Sequence, residues 1–492
     1  MSDLFAKRLG TFQKQPEFSK IKRNYEEYNL NLRKLKRTEV IQKKRNKEIN
    51  DENPLDYRFY LGVVPEKLVM MFPELQNAES EITKLKVFRD ILVYPEIPES
   101  LVFEVLKILT DSLSGAGIED PRQVFVENGI LDSLCLIILD SEDADILTQA
   151  IWCLNNLVAG TYNYSEDVAR AGVISRLLDL LKLNDMKLVE NIAYIFGNLI
   201  AENESICQQV LASAYISYVS SLEYQSTSLA HSVAFSLSSI SSHTSQLSIL
   251  NCAGILKLLD DLYDLDPLTS LSGLVNLTKN KSPGLDLAIE SKIAKQSIEL
   301  LKGSAKFCEL ALLLFVNISM GQAVHESFLI KHGLLNTFFE ILKKVDQKVC
   351  KYIYWILGNL ALGAPYTRLE VGNHQIAMEF DYPFFHFCGF VRQAASVFYK
   401  NLLIHASVEI KNKFIEGGIF SAICENFLSA DVEIVENCLA IAGFLLATEK
   451  FTGESVSKLF EETGCLENIQ KICYSGRVVN ANSAKDLINM YF

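Results

Sequence analysis

The stretch Ile151-Trp152-Cys153-Leu154-Asn155-Asn156-Leu157-Val158-Ala159-Gly160 carries apolar residues at helical spacing and closes on a glycine. It reads as the end of an amphipathic helix. Trp152 and Asn156 lie four apart, so they share one side of that helix, one turn from each other. An aromatic plane beside a side-chain amide suits an extended basic peptide. The indole face takes the stem and charge of a Lys or Arg, and the amide bonds to peptide backbone. One such pair is weak evidence, because a buried Trp beside a capping or solvated Asn gives the same pattern. Recurrence strengthens it. Tyr194-x-x-x-Asn198 follows 42 residues later, and Trp355-x-x-x-Asn359 comes further on.

A second pattern repeats around the first: a small or polar pair, a Gly, then an apolar helix. It occurs at Gly129, Gly172, Gly254, Gly333, Gly418 and Gly464, with gaps of 43, 82, 79, 85 and 46 residues. These are one or two units of about 42 residues each. The phases without a Gly fall near Ser213-Ala214-Tyr215, Ser291-Lys292-Ile293 and Phe380-Asp381-Tyr382. The glycine is expected to end a short helix in the left-handed conformation and turn the chain into the next one. Each unit then holds a short helix, a turn and two longer helices. It cannot bury its apolar faces alone, so neighbours must stack.

The expected fold is therefore all-α: an armadillo-repeat, right-handed superhelical solenoid of about ten repeats over residues 64–492. The two-helix HEAT pattern is the nearest rival, and residues 95–120 hold extra helical material that blurs the first two units. Third helices would line the concave wall at steps of roughly 10 Å. An extended peptide advances about 3.3 Å per residue, so one rung meets every third peptide residue.

The totals agree with this reading. A chain of 492 residues is too long for one compact core unless it is an array. Its 11 cysteines are scattered without a C-x-x-C pair, which argues for buried thiols rather than a disulfide framework or zinc ribbon. No apolar leader or membrane-spanning run is evident, so membrane insertion is not expected. No H-E-x-x-H, phosphate-binding loop, G-x-S-x-G or paired Cys/His cluster occurs, and the seven histidines are dispersed. The expectation is a protein that is not an enzyme and needs no cofactor or metal.

The net charge of −13 conceals an asymmetry. Residues 1–50 carry 14 Lys+Arg against 6 Asp+Glu, or +8, and the remainder carries 33 against 54, or −21. An acidic body disfavours nucleic acid and attracts cationic ligands. The basic segment holds Lys20-Ile21-Lys22-Arg23, then Leu32-Arg33-Lys34-Leu35-Lys36-Arg37, then Lys43-Lys44-Arg45-Asn46. It is helically patterned but too polar to bury much surface, so it is expected to be flexible until an acidic partner receives it. Residues 51–63, with Asn53-Pro54, read as a linker.

Basic arm, ladder and the C-terminal Glu462-Thr463-Gly464-Cys465-Leu466 through Tyr491-Phe492 together resemble importin-α, the nuclear import adaptor family, as a divergent member. The resemblance implies a major site for nuclear localisation signals at Trp152, Asn156, Gly160, Ser165, Asn191, Tyr194, Asn198, Glu202 and Phe235. In it Glu202 stands where the family has the Asp that pairs with the key lysine. A carboxylate in a half-desolvated slot selects Lys, because a neutral residue leaves it unpaired.

Tyr194 and Phe235 replace tryptophans, and Ser239 replaces an asparagine. The C-terminal minor site keeps Asn317, Trp355, Asn359 and Asn401, but has Val397 for Trp and Ala323 and Ala394 at acidic positions. The resemblance thus implies a usable major site and a degraded minor one.

It further implies importin-β as the partner of Lys22, Arg23, Arg33, Lys34, Lys36, Arg37, Lys43, Lys44 and Arg45, with Lys43-Lys44-Arg45 folding back to compete for the groove when Ran-GTP removes importin-β. Cargo proteins bearing basic signals, a CAS-type export receptor with Ran-GTP, and shuttling between cytoplasm and nucleus complete the implied cycle. The alternative is a non-transport armadillo scaffold that binds linear motifs. A tRNA- or membrane-associated helical protein fits the acidic body least.

Overall fold

The computed structural model describes residues 61–94, 96–114, 121–160, 164–449, 455–474 and 478–492. The basic clusters from Lys22 to Arg45 lie outside them. The chain divides into two compact units that meet in sequence at 277/278. Among the described residues every regular element is helical.

Helices mostly come in threes: two shorter ones and a third that is usually the longest. The third helices are α1 (Glu99–Ser114), α2 (Ala144–Val158), α3 (Met186–Ile200), α4 (Thr227–Ser241) and α5 (Pro267–Leu277) in the first unit. In the second they are α6 (Ala305–Ser319), α7 (Gln347–Ala361), α8 (Gly389–Leu403), α9 (Val432–Leu446) and α10 (Val478–Tyr491). From α2 to α9 they start 42, 41, 40, 38, 42, 42 and 43 residues apart. Within each unit consecutive third helices pack side by side. Among the described residues of 95–120, the helical material is α1, the third helix of the first triplet.

Local chemistry sets the ends. Asp143, Asp185, Asp346 and Asp431 accept backbone N–H bonds at the starts of α2, α3, α7 and α9, and Ser226 does the same for α4. The cap recurs in about half of the repeats; Ser304 before α6 and Cys388 before α8 make no such side-chain bond. Gly129, Gly172, Gly333, Gly418 and Gly464 adopt φ between 77° and 87°, turning the first helix into the second as expected.

Gly254 departs from that expectation. It lies inside one continuous helix, Ile249–Leu262. Here the capping box of Ser248 and Asn251 starts a single longer helix, and the chain makes no turn at the glycine. The phases without a Gly still break. Between Glu204–Ala212 and Tyr215–Ser220 the chain turns at Ser213 and Ala214, both with negative φ.

The folded array begins before the expected linker ends. Leu61 is buried, and its N–H donates to the Glu81 carboxylate at 2.8 Å. Buried Leu, Ile and Phe from all three helices of each triplet form the core. In the first unit Phe196 meets Tyr215 edge to face at 5.3 Å, and the Tyr215 hydroxyl bonds Ser236 Oγ at 2.7 Å. In the second, Phe384, Phe398 and Tyr399 are fully buried together, with centroids 5.3 Å (Phe384–Tyr399) and 4.7 Å (Phe398–Tyr399) apart.

Candidate functional site

The rung residues fall on the third helices, and the structure sorts them by exposure. Trp152 on α2 is 46% exposed. Tyr194 on α3 is half-buried, its ring 5.8 Å from that of His231 and 6.4 Å from that of Phe235. Phe235 on α4 is buried. Its ring covers Gly197 so closely that a Cβ there would fall 2.0 Å from ring carbons. Trp355 on α7 is also buried, lying parallel to Tyr352 with centroids 6.1 Å apart. The aromatic series therefore has one open ring, one half-open ring and two buried ones.

The amides form a rail between helices. Asn156 is fully buried, and its Nδ2 donates to Ser114 Oγ at 2.8 Å and the Thr110 carbonyl at 3.4 Å on α1. Asn276 donates to Ser238 on α4, Asn317 to Thr278, Asn359 to Ser319 on α6, and Asn401 to the Gly358 carbonyl on α7. Where the rail lacks an asparagine, the Ser239 hydroxyl donates to the Gly197 carbonyl at 2.7 Å. Beyond any peptide contact, the amides of Asn156, Asn276, Asn359 and Asn401 each tie their third helix to the one before it.

The other expected positions are spread around α2 and α3. Asn191 is half-buried, accepts from Asn155 at 3.2 Å and donates to the Lys187 carbonyl at 3.0 Å. Asn198 is half-buried on the same helix, and Glu202 follows it, exposed to solvent. Gly160 is buried at the end of α2, and Ser165 is fully buried as the first residue of the helix Ser165–Arg170.

One turn towards the N-terminus from Tyr194 and Phe235 lies a polar shelf. Glu190 on α3 accepts from Ser228 Oγ at 2.5 Å. On α4, His231 Nδ1 bonds the Asp266 carboxylate and lies 3.1 Å from Thr269 Oγ1. Burial pushes the Asp266 carboxyl up, but hydrogen bonds from His231 and Thr269 and the charge of His231 outweigh it, so the net shift is downward. Asp111 and Asp145 add exposed carboxylates on α1 and α2. The i−4 offset from the aromatic positions was the signal for Glu190 and His231.

Among the described residues no group of three or more His, Cys, Asp or Glu side chains is disposed to hold a metal ion. No helix among them is long and apolar enough to cross a membrane.

No family model matches the chain. Solved structures do. An engineered protein shares 16% identity at a TM-score of 0.71, over 82% of this chain and 98% of its own. A structure from work on the phosphorylation-controlled interaction between cadherin and beta-catenin shares 12% identity at a TM-score of 0.54, over 87% of this chain and 98% of its own. A designed armadillo repeat protein in complex with the peptide (KR)4 also matches, but its TM-score of 0.43 over 48% of the chain is too loose to add weight. At such identities the likeness is one of fold. Taken with the three-helix repeat, it makes the chain an armadillo-repeat protein in architecture.

Proposed function

We propose that this chain is a peptide-binding adaptor whose α2–α4 wall takes an extended cationic segment. The observation that carries the reading is Trp152: a large indole left open on a helix whose other apolar faces are buried. Carboxylates at Asp111, Asp145, Glu190 and Asp266 lie on the same series of helices or just ahead of them. A ring face beside carboxylates recognises a Lys or Arg side chain along both its stem and its charge. The finer reading is nuclear import in the manner of importin-α. Residues 1–50 would engage importin-β, basic localisation signals would occupy the wall near Trp152 and Tyr194, and a CAS-type export receptor with Ran-GTP would recycle the chain.

Titration of the full chain with a fluorescent Lys-Lys-x-Lys peptide tests the first part. Binding that weakens with salt and weakens further in Trp152→Ala, with unfolding unchanged, supports it. Equal affinity for a Glu-rich peptide of the same length removes it. Capture of importin-β by the full chain, lost in Arg33→Glu/Lys34→Glu/Lys36→Glu, tests the transport reading separately. A chain that binds basic peptides but not importin-β is a scaffold. The burial of Phe235 and Trp355 favours that second reading, because it shortens the open ladder.

A further inference from the structure

Three consecutive edge segments of the second unit carry an ordered pattern of charge. Residues 343–351 hold Lys343, Lys344, Lys348 and Lys351 against Asp346, which is 4 − 1 = +3. Residues 381–392 hold Asp381 and Arg392, net zero, and present three exposed phenylalanines, Phe385, Phe387 (83% exposed) and Phe390. Residues 425–436 hold Glu425, Asp431, Glu433 and Glu436 with no Lys or Arg, which is −4, and add exposed Leu428 and Val432.

The fold places these segments side by side in that order. Lys343 Nζ pairs with Glu379 at 2.5 Å, Cys350 Sγ lies 3.5 Å from the Tyr382 hydroxyl, and Lys351 Nζ stands 5.2 Å over the Phe390 ring. On the other side, Asn426 donates to the Phe384 carbonyl at 3.1 Å, and Gln393 donates to Glu433 at 2.5 Å. The central segment is also braced from within, since Arg392 donates to the His386 carbonyl at 2.6 Å. The aromatic tip is thus held in place between a basic and an acidic neighbour. The intrachain pairs leave the edge charged: Lys343 and Lys348 remain more than half exposed.

An exposed aromatic cluster of this size marks an interaction surface. The order of charges says what fits it. A two-fold axis through Phe387 sets the basic segment of one copy against the acidic segment of the other, twice, with phenylalanines packed between. A row that runs positive, apolar, negative is its own complement under such an axis, which is what an isologous contact requires. We propose that this edge is a homodimer interface and that its occupant is a second copy of this chain.

Repeat layers at steps of about 10 Å give the row a length of roughly 20 Å, so a patch as wide as it is long covers roughly 400 Å², less than the ~800 Å² per partner of a standard stable interface. The association is therefore weak and dependent on concentration and salt. It does not rest on the peptide-binding reading, because the groove wall takes no part in it.

Sedimentation equilibrium of the full chain across a hundredfold concentration range in low salt tests the proposal, with circular dichroism confirming that each variant folds. The wild type is expected to dimerise, and Phe387→Asp to weaken association at least tenfold. Lys343→Glu/Lys344→Glu/Lys348→Glu, which takes the first segment from +3 to −3, and Glu425→Lys/Glu433→Lys/Glu436→Lys, which takes the third from −4 to +2, are each expected to be monomeric alone. Mixed in equal amounts, the two charge variants regain complementarity on both sides and are expected to associate. A wild type that stays monomeric throughout overturns the proposal. So does a dimer unmoved by Phe387→Asp, and so does a mixture no more associated than its components.

Discussion

The side-chain amide of Asn359 donates to the hydroxyl of Ser319, 2.9 Å away on the preceding third helix. Both residues are buried, so the bond is shielded from water. Replacing Asn359 by Ala removes the donor and leaves a void beside a buried hydroxyl, which costs about 1–3 kcal/mol. Asn359→Asp puts a charge in the same place and costs more. Urea unfolding measures both. An Ala variant as stable as the parent would show that the amide rail does not hold the stack.

Trp152 is expected to behave in the opposite way. Its ring is nearly half exposed, so Trp152→Ala should move the unfolding midpoint little. The same change should weaken a Lys-Lys-x-Lys peptide by about 1–2 kcal/mol, the range of a partly desolvated cation–π contact. Trp355→Ala, at a buried ring, should instead cost about 3–5 kcal/mol of stability. Thermal melts and peptide titrations on the two variants side by side distinguish an open rung from a packed one.

Two glycines of the same sequence pattern should respond to alanine with opposite signs. Gly172 has φ +77°, where a Cβ meets no neighbour but strains the backbone. Gly172→Ala is expected to destabilise by about 1–2 kcal/mol. Gly254 lies within a helix, where a Cβ would stand 3.4 Å from Ile216 Cγ2, an ordinary contact. Gly254→Ala is expected to stabilise by about 0.4–1 kcal/mol. Matching signs in denaturant titrations would contradict the helix geometry at one of the two positions.

Acid should weaken the second unit first. Burial lowers the pKa of His374, His386 and His405, with Arg392 adding to the effect at His386 and Arg368 and Lys411 at His405. A base whose folded pKa is depressed takes up its proton first in the unfolded chain. Its contribution is intact above the unfolded value of about 6.5 and is lost as pH falls towards the folded one. Asp266, also lowered, adds a loss in the first unit only below about pH 4. Hydrogen exchange at pH 7.5 and 5.5 should show faster opening in residues 365–415 than in 186–241. Uniform behaviour would contradict this order.

Alkylation should divide the cysteines. Burial pushes the thiols of Cys135, Cys153 and Cys207 up to about 12, and that of Cys308 up to about 11. The thiolate is the nucleophile, so these should react very slowly with iodoacetamide at pH 8. Cys388 and Cys473 are only half-buried. They are expected to label first, read by peptide mass mapping of the native chain. Early labelling of Cys153 would mean that the wall opens readily.

The repeat period, the helical class and the left-handed glycines were all legible because each depends on local chemistry repeated along the chain. What was not legible depends on neighbours. Trp152 and Trp355 sit in the same W-x-x-x-N pattern, yet one is open and the other lies buried beside Tyr352. Nothing local to either motif distinguishes them. The burial of the α4 serines was equally illegible. Ser232, Ser236 and Ser241 suggest a solvated face, but they are buried because their hydroxyls bond carbonyls three or four residues back in their own helix. Gly254 kept the spacing of a turn although its cap favoured an unbroken helix.

The rail also bears on how the chain is made. The donors at Asn317, Asn359 and Asn401 reach back 39, 40 and 43 residues, about the length of one repeat. A ribosome releasing this polypeptide would therefore supply every partner soon after it is wanted, and each layer could set on the one already finished. Truncation late in synthesis would leave a well-formed stub with a single raw apolar end, the kind of product that chaperones bind.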